Sequence, residues 1–504
     1  MNDLVARLPE MLAAHIGLSL AALAMGVAVA VPLGILVTRI PRLEGPVVGA
    51  ASILQTIPSL ALLAFMVPAL AALGLNSIGV LPALLGLFLY SLLPVLRNTV
   101  TGLSGLDPAV LEAARGVGMT PRESLFQVEL PLAMPVLIAG IRTAATWTVG
   151  TATLATPVGA LSLGSYIFGG LQTRNYDAVL VGCVASAALA LVLDGLIRSI
   201  SAGLVRRSRR LTMLGVTGLL GLAAIGATPA LHALLTREKA PITIGAKTFS
   251  ESYILAHVLA GQVTRATGRK ARTLESLGSM VIFDALERGD IDAYVDYSGT
   301  LWSMVLARGE PRPDRATLLA EVERGLVAHG VQIVAALGFE NTYVLAMRRE
   351  HAERLSVRRV SEMAAHASTL RFGCDVELLQ RPEWPVLTAT YGLRFADLRS
   401  MDPSLMYDAI QADQVDVIAA LSTDGRIASF DLVALEDDRG AIPPYDAVIL
   451  VGERLRHEQP DAVEALRNLA GRIDTATMRE LNRRVDQDGQ SPTTVAASLL
   501  NRSP

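Results

Sequence analysis

The sequence predicts a chain of two classes: an all-α polytopic membrane region of about six spans, then an α/β domain of two lobes. Three observations predict it. Charged residues vanish from long tracts of residues 1–235, and none occurs between Gly45 and Leu96. From Arg237 onward, charge is mixed through short apolar runs that alternate with helical stretches, as in helices layered on mostly parallel sheets. Within that second half a segment recurs, because Asp284–Tyr297 aligns without gaps on Asp408–Leu421. With 504 residues and a mean hydropathy of +0.43, the chain is long enough for several domains and too apolar to be wholly soluble.

Spans are expected over residues 12–38, 47–72, 78–97, 132–152, 177–197 and 211–231. The tract from Gly45 to Leu96 accommodates two of them at about 20 residues each. The first apolar stretch is too long for a secretory signal and is followed by more spans, so it reads as a membrane helix. Pro32, Pro58, Pro68 and Pro94 are expected to kink spans, with neighbouring helices satisfying the freed carbonyls. Arg39 and Arg42, then Arg97, Arg115 and Arg122, then Arg198, Arg206, Arg207, Arg209 and Arg210 fall in loops on one face by parity. The other face carries only Arg7 and Arg174 before the last span ends. Arginine-rich short loops face the cytoplasm, so the domain over residues 240–504 is expected outside. Arg142, in Ala-Gly-Ile-Arg, reads as a side chain snorkelling to a nearby interface.

Composition excludes several classes. A net charge of -3 gives no basic face for nucleic acid. The two cysteines, Cys183 and Cys374, provide neither a disulfide framework nor a metal cluster. No metal or cofactor site is expected. No G-x-S-x-G, H-E-x-x-H or cysteine-centred arrangement appears, which argues against a membrane-tethered hydrolase.

In the second half, Ile242–Ala246 reads as a strand and Glu251–Thr267 as an amphipathic helix. Gly289 caps a helix ahead of a strand over Ile291–Tyr294. Each copy of the repeat runs helix, turn, strand and polar loop, ending in Ser298-Gly-Thr or Ser422-Thr-Asp-Gly. Ligands of open α/β sheets bind beyond the carboxyl ends of strands, which places Tyr297 and Leu421 on opposite walls of one cleft.

Between apolar tracts lies Glu112–Pro131, an Ala-rich helix, a Gly turn and a second amphipathic helix. Its Glu112, Ala113, Ala114, Gly118, Leu130 and Pro131 stand at fixed offsets that resemble the loop by which permeases of ATP-binding-cassette (ABC) importers grip their ATPase. Lys247-Thr-Phe-Ser-Glu, Tyr297-Ser-Gly-Thr, Asn341-Thr-Tyr, Ser422-Thr-Asp-Gly-Arg-Ile and Pro443-Pro-Tyr-Asp resemble segments of the binding proteins for betaine, choline, carnitine and ergothioneine. The first half resembles the permease of the same systems, and some members fuse both halves in this order.

The resemblance implies a type I ABC importer permease over residues 1–235 and a type II periplasmic-binding domain over residues 240–504. Its lobes would comprise about 240–342 with 446–504, and about 343–445, joined near Asn341–Val344 and Pro443–Ala447. It also implies a multi-pass inner-membrane protein that pairs as a homodimer in the lipid bilayer and is not itself an enzyme. The chain has no G-x-x-x-x-G-K-[ST] loop, so a separate cytoplasmic ATPase is expected. A channel would not need the Glu112–Pro131 segment, and a receptor would need a larger cytoplasmic domain.

By the same resemblance, Tyr297, Tyr343 and Tyr445 would surround a quaternary ammonium, while Lys247, Thr300 and Arg381 would hold a carboxylate. A methylated ammonium donates no hydrogen bond, so aromatic faces suit it, each contact contributing about 0.5–2 kcal/mol. Lysine occurs only at 239, 247 and 270 in an otherwise arginine-using chain, which singles out Lys247. Position 421, commonly Tyr in the family, is Leu here, so the cage lacks one wall. Phe249, Tyr253, Tyr294, Trp384 and Tyr407 are candidates to replace it, each with core packing as the plainer role. A carboxylate clamp is superfluous for choline, so a zwitterion such as glycine betaine or ergothioneine is expected.

Overall fold

The computed structural model describes residues 2–173, 175–236, 241–308 and 314–502; Arg174, Arg237 and Lys239 lie outside them. Two compact units emerge, one drawn from residues 1–168 and 177–239, the other chiefly from 240–504.

The first unit is helical. Among the described residues, Arg7–Arg39, Val80–Ser104, Pro121–Val158, Tyr176–Val205 and Arg209–Pro229 are long and apolar enough to cross a membrane. The expected span over 47–72 is not one helix. Glu44–Thr56 and Ser59–Ala72 are separate helices bent by 101°. Ile57 between them is extended (φ -70°, ψ 128°), because the ring of Pro58 disfavours helical geometry in the residue before it. Pro32, Pro68 and Pro94 instead lie inside continuous helices. The carbonyl of Tyr90, four residues before Pro94, accepts from Gln55 Nε2 at 3.4 Å. Spans approach closely where glycine allows it: a Cβ on Gly140 would lie 2.7 Å from the carbonyl oxygen of Pro94.

Arg142 does not snorkel alone. Its Nε and Nη2 donate to the two carboxylate oxygens of Asp194 at 2.7 and 2.9 Å, joining the Leu130–Ala152 and Tyr176–Val205 helices. A forked pair neutralises both charges where neither is well solvated.

The second unit holds two five-stranded sheets. The first contains β1 (Ile242–Lys247), β2 (Ala271–Leu277), β3 (Ala293–Tyr297), β4 (Gln332–Glu340) and β10 (Asp446–Val451). The second contains β5 (Tyr343–Arg348), β6 (Arg371–Cys374), β7 (Asp397–Ser400), β8 (Val417–Leu421) and β9 (Leu432–Ala434). Their orders are β2-β1-β3-β10-β4 and β7-β6-β8-β5-β9. Asn341 and Thr342 carry the chain from the first sheet to the second, and residues 435–445 carry it back.

Gly289 caps the Ser279–Arg288 helix in the left-handed region (φ 77°). The strand after it begins at Ala293 rather than Ile291, since Asp292 is held in a turn. There its amide donates to Thr243 O at 2.8 Å, while its Oδ2 accepts from Thr243 N at 2.8 Å. Each lobe has its own core. Ile244, Leu255, Leu259 and Ile449 pack in the first, and Phe372 stacks between Trp384 and Phe395 in the second.

Candidate functional site

A cavity of about 110 Å³ lies at the carboxyl ends of β1, β3 and β8. That volume suits one small solute and not a peptide or oligosaccharide. Lys247, Tyr297, Thr300, Tyr343, Arg381, Leu421 and Tyr445 all line it, so the fold brings every nominated side chain to one place. The strands deliver Lys247, Tyr297 and Leu421 as their last residues, and Arg381 follows the Val376–Gln380 helix, which Asp375 caps.

Arg381 organises one wall. Its guanidinium stands 5.3 Å from the ring centre of Tyr343 and 6.0 Å from that of Tyr445, whose rings meet edge to face at 6.4 Å. It donates to Glu377 Oε1 at 2.6 Å and to Thr300 Oγ1 and Tyr445 Oη, each at 3.3 Å. Its Nε–H, buried, meets no acceptor among the described residues. Tyr445 in turn donates to Glu383 Oε1 at 2.6 Å. Burial pushes the phenols of Tyr343 and Tyr445 up, so both stay neutral donors at any physiological pH.

Lys247 is not a bare ammonium awaiting a carboxylate. Its Nζ donates to Asp296 Oδ1 at 2.5 Å, with both side chains buried. An unpaired ammonium at that depth would carry a large desolvation cost, and Asp296 removes it. Asp296 also accepts from Tyr294 Oη at 2.6 Å and from the Tyr297 amide at 2.8 Å, which fixes the strand end. Lys247 Nζ remains 5.7 Å from the ring centre of Tyr297.

Leu421 sits opposite Tyr343 in the antiparallel β5–β8 register, an aliphatic patch where a ring is missing. Of the proposed replacements, Phe249 and Tyr407 line the cavity, Phe249 with its ring 6.2 Å from that of Tyr297. Tyr253 is spent on Ser276, Tyr294 on Asp296 and Trp384 on Phe372.

Sequence reasoning missed the deepest group. Glu251 is buried and accepts from Tyr297 Oη at 2.6 Å, Asn341 Nδ2 at 2.9 Å, Asn482 Nδ2 at 2.8 Å and the Thr423 hydroxyl. Burial lifts its carboxyl above the usual range, and the four donors pull it back. It joins both lobes through their turns. Only its place in Lys247-Thr-Phe-Ser-Glu signalled it. Asp424 and Arg426 form a buried pair whose guanidinium lies 4.1 Å from the ring centre of Tyr407. Asp486 accepts from Ser250 Oγ at 2.5 Å, and burial lifts its carboxyl too.

The Glu112–Pro131 segment forms a second candidate site. Asp107 caps the Pro108–Gly116 helix, on which Glu112 and Ala113 are exposed and Ala114 is buried. Gly118 turns the chain at φ 83°, a conformation that favours glycine. A capping box between Thr120 and Glu123 starts the next turn, a π-helical stretch spans Leu125–Glu129, and Leu130 and Pro131 open the following helix. Glu129, buried, accepts from Arg39 Nη2 at 2.6 Å and Ser124 Oγ at 2.9 Å, so the segment is pinned to the Asn2–Arg39 helix. Val117 and Phe126 are 75% and 68% exposed upon it.

Comparison with known proteins bears on both halves of the chain. Residues 240–502 match the family of substrate-binding domains of ABC-type glycine betaine transport systems. Residues 30–210 match the inner-membrane components of binding-protein-dependent transport systems. The chain is 31% identical over 468 residues to the ergothioneine transport permease/ergothioneine binding protein of Helicobacter pylori, covering 89% of this chain and 82% of that one. It is 47% identical over 180 residues to a choline transport system permease protein of Bacillus subtilis, covering 36% of this chain and 80% of the relative. It is 33% identical over 271 residues to the glycine-betaine-binding protein of Pseudomonas aeruginosa, covering 51% of this chain and 86% of the relative. The chain therefore belongs to the ABC-importer family of glycine betaine and ergothioneine transport in which a multi-pass inner-membrane permease and its substrate-binding domain are one polypeptide.

Proposed function

We propose that the chain imports a small zwitterion bearing a quaternary ammonium and a carboxylate. The Arg381 wall carries this reading: a buried guanidinium with an unused Nε–H, the Thr300 hydroxyl and two tyrosine faces converge on one cavity. The carboxylate docks on Arg381 and Thr300, and the methylated ammonium rests among Tyr297, Tyr343 and Tyr445. Lys247 contributes through its field, already shared with Asp296. A related name supports the class, since a relative matched over 89% of this chain is called an ergothioneine transport permease/ergothioneine binding protein. Choline import is the second reading; pairing of Lys247 with Asp296 favours it by removing one cation from the carboxylate's reach.

The binding domain lies outside the cell by the arginine distribution. Two copies of the chain pair around the pathway, and a separate ATPase docks on the Glu112–Pro131 segment, gripping Val117 and Phe126. Calorimetry on the full chain in lipid nanodiscs tests the substrate: a zwitterion binds tighter than choline, and Arg381→Ala weakens it by about 1.5 kcal/mol or more. Choline binding above every zwitterion would sink the carboxylate assignment.

A further inference from the structure

Beside the cleft, the two lobes meet along a seam of their own. On one side lies the Thr475–Asp486 helix, whose Met478, Leu481 and Val485 sit in the first lobe's core. On the other lies the turn after β8, anchored in the second lobe by Ile427 and Phe430. The helix turns a second face to that turn, and the turn's carbonyls accept from it in order. Ser422 O accepts from Arg479 Nε at 3.1 Å, Thr423 O from Asn482 Nδ2 at 2.9 Å, and Gly425 O from Gln487 Nε2 at 2.9 Å. Gln487 Nε2 also donates to Ser429 Oγ. The row starts at the crossover, where the Ser422 amide donates to Thr342 O at 2.8 Å and the Thr342 amide to Ser422 Oγ at 3.1 Å. Each later contact stands further along the turn from it.

Gly425 shows how closely the lobes approach. Its backbone is ordinary right-handed (φ -62°, ψ -22°), so the turn itself would accept any residue. A Cβ there, however, would lie 2.9 Å from both N and Cα of Arg483, backbone atoms that cannot swing aside. The glycine is therefore demanded by the opposite lobe and not by its own conformation. Gly425, Arg483 and Gln487 all stand outside the lining of the cavity.

We propose that this seam is a latch that holds the lobes together over a bound solute, with Gly425 and Gln487 as positioning residues that set its residence time without touching it. This rests on the solute-binding reading above. Rotation about the crossovers moves Gly425 and Gln487 apart more than Ser422, so the outer contacts exist only when the cleft is shut. A group that stabilises only the shut form lengthens the solute's stay, and one that obstructs it shortens that stay.

The full chain in lipid nanodiscs is loaded with radiolabelled glycine betaine, ergothioneine or choline, and the probe that wild type binds most tightly is chased with unlabelled solute. Gly425→Ala should speed dissociation about tenfold or more while changing association less than about threefold. Its melting temperature without solute should move by less than about 2 °C, because separated lobes have room for the methyl group. Gln487→Ala, a truncation at the surface, should speed dissociation about threefold. Linking Gln487→Cys to Ser429→Cys with a short, reductant-cleavable crosslinker, in a Cys183→Ser background that removes the exposed thiol, should slow dissociation at least about tenfold until reductant is added. Unchanged dissociation in Gly425→Ala or in the linked protein would overturn the latch and leave the solute reading standing. So would a Gly425→Ala protein that melts early and loses association and dissociation rates alike. Binding of none of the three probes by wild type would overturn the solute reading itself, and the latch with it.

Discussion

Strand for strand, the first lobe's order β2-β1-β3-β10-β4 reappears in the second as β7-β6-β8-β5-β9, with the same parallel and antiparallel pairs. The repeat even shares a fastening. Asp292 accepts from the Thr243 amide and Asp416 from the Arg371 amide, each at 2.8 Å, pinning the start of the neighbouring parallel strand. At the other end of those strands the lobes part. By the register that equates Thr243 with Arg371 and Ile244 with Phe372, Ala246 matches Cys374 and Lys247 matches Asp375, while Asp296 stands where Ala420 does and Tyr297 where Leu421 does. The first lobe therefore places charge and an aromatic ring on its strand ends. The second ends β8 in the apolar Ala420 and Leu421, spends Asp375 on capping the Val376–Gln380 helix, and supplies Arg381, Thr423 and Arg426 from turns and short helices. Duplication fixes where a side chain can point; it does not fix what it does.

This contrast can be broken at matched positions. Lys247→Met should destabilise the binding domain by about 3–5 kcal/mol, because Asp296 is left buried and unpaired. Cys374→Ala, at the last residue of β6, should cost about 1 kcal/mol. Denaturant titration checks both, and equal costs would show that the buried pair does not hold the first lobe. Next, Tyr297→Ala should weaken ligand binding by roughly 100-fold, since it removes a cage face and a donor to Glu251 together, while Leu421→Ala should change it only a few-fold. Restoring symmetry is a milder test. Leu421→Tyr should strengthen a trimethylammonium ligand by about 0.5–2 kcal/mol, and weakening would mean that Leu421 makes a wanted apolar contact.

The smallest effect is a pH dependence. Burial, then the charge of Asp424, lifts Asp486 to about 7, against roughly 3.9 for the unfolded chain. The folded state keeps a proton that the unfolded chain releases across that window. This group's contribution to stability accordingly grows as pH falls from about 7 towards 4. Asp486→Asn should flatten that rise by about 2–4 °C in melting temperature between pH 7 and 5.

The features legible in the sequence were those that repeat locally. Uncharged tracts gave the spans, alternation gave the sheets, and the Asp284 and Asp408 copies gave the two lobes because each is one helix-turn-strand unit. What escaped depended on distant partners. Pro58 reads like Pro68 and Pro94, yet only Pro58 breaks its helix. Lys247 looked available because Asp296 is 49 residues away and becomes its neighbour only when β1 pairs with β3. Glu251 looked like an ordinary first-turn acid, since its four donors come from four separate segments.

The forked pair of Arg142 and Asp194 bears on biosynthesis. Either charge alone near the middle of a helix costs about 2.5–3.5 kcal/mol to insert into hydrocarbon. The two residues are separated by 52 positions, so Arg142 leaves the ribosome well before its counter-ion. Insertion as a hairpin, with the earlier helix retained at the translocon until the later one arrives, spares both segments that cost.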